Sequence, residues 1–110
     1  MGNLTATELS SLSEQLKAVA DPTRLRILQL LPTRSECELV YNVSELAEEL
    51  QTPQPTVSHH LRVLYNAGLV QSKKMCRDVY YWIDTEAVDK AMCSVKCVAR
   101  LEQSDGDGER

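Results

Sequence analysis

Residues 52–82 constrain the fold most, because they combine the signals for a short helix with those for a β-hairpin. Thr52 is a suitable N-cap, and Pro53 fits the first helical position, where no backbone N–H is needed. Apolar residues then recur at helical spacing and predict one buried face: Val57, Leu61 and Leu64. Gly68 can adopt the left-handed conformation that ends a helix, so we predict a helix that stops there.

The second half of this stretch predicts two antiparallel strands. Residues 69–74 and 79–83 are rich in apolar, β-branched and aromatic side chains, and residues 75–78 between them form the predicted turn. A polar-faced helix followed directly by such a hairpin is typical of a winged helix.

The charge of the same stretch favours nucleic acid as a partner. Between residues 53 and 82 the only acid is Asp78, while the bases are Arg62, Lys73, Lys74 and Arg77. The whole chain has a formal net charge of −4, so this segment is locally positive in an acidic chain. A positive stripe is what a line of phosphates requires, although four bases could also form only a solvated face. The helix, the hairpin and the charge together favour binding to DNA.

Composition places the chain among small globular domains. It has 110 residues, of which 43% are hydrophobic and 25% charged, which predicts a single domain. No apolar run reaches membrane-spanning length and the start is polar, so we expect no signal peptide and a cytoplasmic protein. Four cysteines in such a chain indicate reduced thiols, a redox pair or metal ligands before a disulfide framework.

Two helices are predicted ahead of this stretch. Residues 7–20 have an amphipathic pattern with Thr7 as a possible N-cap. Asp21 should cap the second helix, which Pro22 begins and Pro32 stops. The second helix has three leucines predicted to face inward: Leu25, Leu28 and Leu31.

The region between residues 33 and 53 predicts a loop and a short helix. Residues 33–43 lack periodicity and form a loop, with a possible short strand over residues 39–43. Ser44 is a good N-cap for a helix whose apolar residues are Leu46, Ala47 and Leu50. This helix and the one after residue 52 make a helix-turn-helix, and the hairpin makes it winged.

The last predicted helix runs from Asp84 or Thr85 to about Glu102 and is apolar over much of its surface. The first helix has the same surplus, so we expect the two to build a symmetric dimer interface; packing within one domain is the alternative. The fold class is therefore mainly α with a β-hairpin wing, dimerising through the first and last helices. Residues 1–102 form this domain, and the acidic tail over residues 103–110 is expected to be disordered.

Several segments in this order resemble the ArsR/SmtB family of winged-helix repressors. The resemblance covers roughly residues 8–100. It rests on the sequences DPTRLRIL at 21–28, VSELA at 43–47, QPTVSHHL at 54–61, AGLV at 67–70 and VYYW at 79–82.

The resemblance implies a homodimer that sits on double-stranded operator DNA, blocks transcription and leaves when an inducer binds. By position in the motif, the candidates for base edges are Gln54, Thr56, Ser58 and His59. The candidates for phosphates are Arg62, Lys73, Lys74 and Arg77. His60 is interpreted as structural, turned partly inward and hydrogen-bonded.

Two inducer sites known in the family are not matched by this chain. The Cys-x-Cys pair of the metalloid site falls on Asn42 and Ser44. The zinc-type site on the last helix keeps Asp84, but Glu86 stands where a histidine is wanted. The resemblance therefore excludes both of these ligand sets.

Two cysteines of the last helix remain as inducer ligands. Cys93 and Cys97 are one helical turn apart and share a face, and thiolates select soft ions such as arsenite or antimonite. A three-thiolate site is expected to take Cys37 as its third ligand, because the loop after the second helix can approach the last helix in this fold. Cys76, at the wing tip, is the more distant alternative. Such a chain resembles the arsenic-responsive branch with cysteines in the C-terminal helix. No organic cofactor is expected.

The sequence also allows other chemistries and other classes of protein. Cys93 and Cys97 could be small core residues, or Cys37 could form a disulfide or polysulfide with a last-helix thiol in a redox or persulfide sensor. An enzyme is disfavoured because no nucleophile has a base beside it. A protein-binding winged helix would be expected to lack the basic wing.

Overall fold

A computed structural model describes residues 3–33 and 41–100, where the chain forms helices and one antiparallel hairpin. The elements are α1 Ala6–Val19, α2 Pro22–Leu30, α3 Val43–Leu50, α4 Gln54–Asn66, β1 Val70–Met75, β2 Asp78–Ile83 and α5 Thr85–Ala99. The predicted fold class, mainly α with a hairpin wing, is confirmed. None of the helices in these two ranges has the length and apolar content needed to cross a bilayer.

Three predictions fall outside the described residues. They are the start of the short strand predicted at residue 39, the position of Cys37, and the predicted tail over residues 103–110. The rest of that predicted strand is replaced by a single bridge between Asn42 and Tyr80, because Val43 already begins a helix.

The N-cap of the first helix lies two residues earlier than predicted, at Thr5 and not at Thr7. The Glu8 backbone N–H donates to Thr5 Oγ1 at 3.1 Å, and the Thr5 N–H donates to Glu8 Oε1 at 2.8 Å. This reciprocal capping box satisfies two backbone donors at once. No glutamate or glutamine stands three residues after Thr7, so Thr5 prevails.

The second helix begins as predicted but faces the core differently. Asp21 Oδ2 accepts from the backbone N–H of Thr23 at 2.9 Å and of Arg24 at 3.2 Å. The fully buried residue of this helix is Ile27. Of the leucines predicted to face inward, Leu31 is buried and Leu28 packs against the core, but Leu25 is 52% exposed. The direction of approach of α4 selects the buried side of this helix, and nothing in the spacing of leucines specifies that direction.

The third helix is capped by Asn42 and not by Ser44 as predicted. Asn42 Oδ1 accepts from the Glu45 N–H at 2.7 Å, and Glu45 Oε1 accepts from the Asn42 N–H at 3.0 Å. Ser44 therefore lies inside the first turn. The predicted apolar face is confirmed, because Leu46 and its two apolar neighbours in the helix, Ala47 and Leu50, are buried.

A tight turn joins α3 to α4. Gln51 adopts the left-handed conformation with φ 53°, and the Thr52 hydroxyl donates to the Leu50 carbonyl at 3.0 Å. Thr52 is therefore not the N-cap; Pro53 occupies that position and makes no side-chain capping bond. Gly68, with φ 80°, follows the helix as predicted.

The core is built around α4, as the apolar spacing predicts. Val57, Leu61 and Leu64 have no solvent exposure, and they pack with residues from the neighbouring elements. Those neighbours include Ile27, Leu46, Leu69 and Val70. The second helix of the helix-turn-helix, α4, which we call the recognition helix, therefore also supplies the central residues of the hydrophobic core.

The hairpin is joined to the rest of the fold at its base. Its strands pair from Val70 with Ile83 to Met75 with Asp78, which leaves a turn of two residues, shorter than predicted. The Ile83 N–H donates to the Pro32 carbonyl at 2.8 Å, and the Asp84 N–H donates to the Leu69 carbonyl at 2.9 Å. Asp84 also caps α5 through the Ala87 N–H. The wing thus leaves the core in a defined direction.

Candidate nucleic-acid interface

The outward face of α4 is polar and accessible along its first turns. α3, the turn at Gln51 and α4 form a helix-turn-helix, and the apolar side of α4 is directed to the core. The predicted base-reading residues lie on its remaining surface: Gln54, Thr56 and His59 are exposed and Ser58 is half-buried. Arg62 is exposed one turn further along. The amide, hydroxyl and imidazole groups can donate to and accept from base edges, and the Arg62 guanidinium can donate to phosphate oxygens.

The hairpin places its bases at the end away from the core. Lys73, Lys74 and Arg77 are all exposed. Lys73 pairs across the hairpin with Tyr80 and Lys74 with Val79, so the two lysines project from opposite faces. Adjacency in the sequence therefore does not make the two lysines equivalent.

The face that carries Lys74 is the one next to α4. Tyr81, on that face, is half-buried, and burial raises the pKa of its phenol. The Arg62 guanidinium opposes this increase, and Tyr65 adds to it. Tyr81 and Ile83, which share this face, pack against the hydrophobic core around α4, so this side of the hairpin is directed toward the helix. Arg62 and Lys74 are consequently on one side of the molecule.

The face that carries Lys73 has acidic neighbours. Tyr80, its cross-strand partner, has a raised pKa because of desolvation first, followed by the charges of Asp78, Glu45 and Cys76. Two of these groups are carboxylates, and Glu45 belongs to α3. The local field is therefore less favourable for a phosphate on this face than on the face of Lys74.

His60 is half-buried and hydrogen-bonded, as predicted for a structural histidine. Its Nδ1 accepts from Arg24 Nε at 3.0 Å, across a separation of 36 residues. Arg24 was missed by the sequence analysis, because nothing in its local pattern distinguishes it from a solvated helix arginine. Only the packing of α2 against α4 brings the two side chains together.

The predicted inducer ligands occupy different environments. Cys93 is exposed, which contradicts the interpretation of this residue as a core cysteine, and Cys97 is half-buried on the same helix. Cys76 is exposed at the hairpin turn, with φ 61°. Within residues 3–33 and 41–100, no three His, Cys, Asp or Glu side chains form a group that could hold a metal ion. The site predicted with Cys37 extends beyond these residues and stays a prediction.

Apolar side chains remain exposed on the first and last helices. Leu9 is 45% exposed, Met92 42% and Val98 51%. An open groove between α1 and α5 is lined by Leu9, Leu12, Leu16 and Val98, together with Ser13, Lys17 and Ala20. An apolar surface of this kind marks an interaction surface on a small domain.

Fold and surface together define a winged helix-turn-helix protein with a polar recognition helix beside a basic wing. The family description "bacterial regulatory protein, arsR family" matches residues 21–72 of the chain. The chain is 43% identical over 77 residues to an uncharacterized HTH-type transcriptional regulator of Methanocaldococcus jannaschii, covering 69% of this chain and 81% of that protein. The chain belongs to the arsR family of bacterial regulatory proteins.

Other relatives bear the names of repressors. An arsenical resistance operon repressor of Staphylococcus xylosus is 37% identical over 78 residues, covering 71% of this chain and 70% of that protein. The HTH-type transcriptional repressor SmtB of Mycobacterium tuberculosis is 38% identical over 73 residues, which are 66% of this chain but only 50% of the repressor. The family consists of transcriptional regulators and not of enzymes, as the lack of a catalytic constellation predicts.

Solved structures agree with the fold. An ArsR-like transcriptional regulator from Rhodococcus sp. RHA1 superposes with a TM-score of 0.74 at 25% identity, covering 90% of this chain and 86% of that one. A homodimeric winged helix-turn-helix DNA-binding domain from Mycobacterium bovis gives a TM-score of 0.65 at 25% identity, covering 100% and 99%. The resemblance to the ArsR/SmtB family is thereby confirmed.

Proposed function

We propose that this ArsR/SmtB-family repressor acts in the cytoplasm by binding double-stranded operator DNA as a homodimer. The observation that carries the proposal is the exposed polar face of α4 together with the exposed bases of the hairpin, whose Tyr81 face packs toward α4. A helix in the major groove with a wing along the flanking backbone uses these two surfaces together.

Each group in this surface has a role suited to its chemistry. Gln54, Thr56, Ser58 and His59 carry groups that donate and accept hydrogen bonds, so we assign them to base edges. Arg62, Lys74 and Arg77 carry fixed positive charge, so we assign them to phosphates, and Lys73 to a phosphate reached from the other face of the wing. The acidic remainder of the chain disfavours indiscriminate coating of DNA.

The dimer would form through the exposed apolar residues of α1 and α5. Leu9, Met92 and Val98 are between 42% and 51% exposed in the single chain, and the groove beside them is apolar. A similar protein from Mycobacterium bovis is described as homodimeric. Two copies related by a two-fold axis would present two recognition helices to successive major grooves.

A duplex-binding titration tests this function. The probe is a labelled duplex of the promoter DNA upstream of the protein's own gene, with an unrelated duplex of equal length as the control. We expect binding by two protomers per duplex, a preference for the promoter fragment, and a steep loss of affinity with salt. A monomer that binds neither duplex at low ionic strength contradicts the proposal.

We further propose that arsenite or antimonite is the inducer and that Cys93, Cys97 and Cys37 are its ligands. Cys93 is exposed and shares one helical face with Cys97, so a soft ion can reach a pair of thiolates. One relative is named as an arsenical resistance operon repressor, which supports this ligand class. Because α5 also lines the proposed dimer groove through Val98, ligation there would alter the spacing of the two recognition helices.

Cysteine variants test the inducer. Cys93→Ser and Cys97→Ser should each raise the arsenite concentration that releases the promoter duplex by at least about tenfold, within the usual range of allosteric coupling. Cys76→Ser is the matched control and should release DNA at the wild-type concentration, because Cys76 lies at the hairpin turn. If both α5 variants release the duplex at the wild-type arsenite concentration, the inducer site does not include Cys93 and Cys97. Release by oxidant or sulfide alone would indicate thiol redox chemistry instead.

A further inference from the structure

A side-chain hydrogen bond connects the recognition helix to the two helices that precede the helix-turn-helix. Arg24 Nε donates to His60 Nδ1 at 3.0 Å. Arg24 Nη1 also donates to the carbonyls of Lys17 and Ala18, each at 3.4 Å, near the end of α1. The guanidinium is therefore hydrogen-bonded to two other helices, α1 and α4, and the contacts with the backbone of α1 set its donor direction toward His60.

This contact determines where the imidazole carries its proton. Arginine has only donors and stays charged, so the Nδ1 atom that faces it must be an acceptor. A neutral imidazole with an acceptor at Nδ1 carries its hydrogen at Nε2. A hydrogen on Nδ1 would remove this hydrogen bond and set two N–H donors against each other. Arg24 thus selects the tautomer of the imidazole that carries its hydrogen at Nε2.

The Nε2–H of this ring is available to a partner. Within the described ranges, Arg24 is the one hydrogen-bond partner of His60, and no buried side-chain nitrogen or oxygen lacks a partner. Nε2 is therefore open to solvent, which agrees with the half-buried state of the residue. The Nε2–H of His60 is therefore a solvent-accessible donor with a fixed direction, on the same helix as the residues assigned to base edges.

The place of His60 on α4 indicates what this donor meets. His60 lies on the flank facing α2, and Arg62 lies on the opposite side of the buried Leu61, on the other flank. A helix in the major groove directs its outermost side chains to the bases, and its flanks face the sugar-phosphate strands that form the groove walls. A donor on a flank is therefore suited to a phosphate oxygen.

We propose that His60 donates its Nε2–H to one phosphate of the bound duplex, with Arg24 as the positioning residue that fixes the tautomer. This inference rests on the proposed DNA-binding function and adds a contact on the flank opposite Arg62. Because the donor is neutral, the contact adds affinity without displacing a counterion. It differs in this respect from the arginine and lysine contacts.

Substitutions of His60 separate its two ring nitrogens. In His60→Asn the side-chain oxygen can replace the Nδ1 acceptor, but the donor at the Nε2 position is lost. In His60→Gln the amide nitrogen can occupy the Nε2 position, so the donor is kept. With the promoter duplex as probe, His60→Asn should bind about tenfold more weakly, whereas His60→Gln should stay within about threefold of the wild type.

The salt dependence distinguishes this contact from a charged one. The slope of log K against log salt should be unchanged in His60→Asn, while the matched variant Arg62→Ala should lower it by about 0.9 for each contact removed.

Nitrogen NMR of the wild type should show the Nε2–H tautomer of His60. In Arg24→Lys, which keeps the charge but loses the Nε donor, a mixture of tautomers should be present.

Duplexes with one neutral methylphosphonate at a time complete the test. At one position per half-site, the substitution should weaken the wild type about tenfold and leave His60→Asn unaffected, as coupled partners require. If His60→Asn binds the promoter duplex as tightly as the wild type, the phosphate contact of His60 is wrong. The same holds if no methylphosphonate position affects the wild type more than His60→Asn. Neither result contradicts the DNA-binding function. Absence of duplex binding by the wild type overturns the function itself. Because coupling is compared at each position, a general loss of folding cannot imitate it.

Discussion

Replacing Lys74 and Arg77 together by alanine should weaken promoter binding by about a hundredfold at roughly 0.1 M salt. Both side chains are exposed, and Lys74 projects from the hairpin face that contains Tyr81, on the side of Arg62. Each phosphate contact removed should lower the slope of log K against log salt by about 0.9. Because each protomer of the dimer loses the same contacts, the change in the slope and the loss of binding free energy are twice those of a single protomer. Anisotropy titrations at several salt concentrations measure both quantities.

Lys73→Ala is the matched control for this prediction. Lys73 is equally exposed and adjacent in sequence, but it projects from the face of Tyr80, near Asp78 and Glu45. We expect a smaller loss of affinity than for Lys74→Ala, because that face is directed away from Arg62 and has negative neighbours. A larger loss from Lys73→Ala would assign the DNA to the opposite face of the wing.

Leu61→Ala should lower the free energy of unfolding by about 3 kcal/mol, the usual range for a buried leucine. Leu61 has no solvent exposure and lies in the cluster that unites α4 with its neighbours. Its removal leaves a cavity at the centre of the fold, which a short domain cannot readily close. Urea unfolding at a fixed protein concentration measures the effect, since association of copies would add stability that depends on concentration.

Leu25→Ala provides the comparison for the core. Leu25 is 52% exposed on α2, so its truncation should change the free energy of unfolding by less than about 0.5 kcal/mol. The same chemical change at two leucines then separates burial from helix propensity, which is identical for both. Similar losses at both positions would contradict the assignment of Leu61 to the core and of Leu25 to the surface.

The recognition helix and wing could be predicted from the sequence because their signals are local. The spacing of Val57, Leu61 and Leu64 specifies one buried face, and Gly68 specifies the end of the helix. The caps were harder to predict, since several suitable residues stand close together. Asn42 prevails over Ser44 because Glu45 returns the hydrogen bond, and this reciprocity depends on a three-residue offset.

The inducer site could be predicted only in part from local sequence spacing. The four-residue spacing of Cys93 and Cys97 predicts that two thiols share a helical face, because the helix itself sets that geometry. A third ligand has to come from a distant part of the chain, and no periodicity states which loop approaches α5. The predicted participation of Cys37 therefore depends on tertiary packing that the spacing of cysteines does not contain.

The sequence by itself determined the order of the elements, the buried face of α4 and the positive charge of the wing. These features depend on neighbours within a few residues, so short-range spacing is sufficient to specify them. The tertiary structure alone decided that Arg24 meets His60 and that Lys73 and Lys74 face opposite sides relative to α4. Such contacts depend on how helices and strands approach one another, and that direction results from the packing of the whole core.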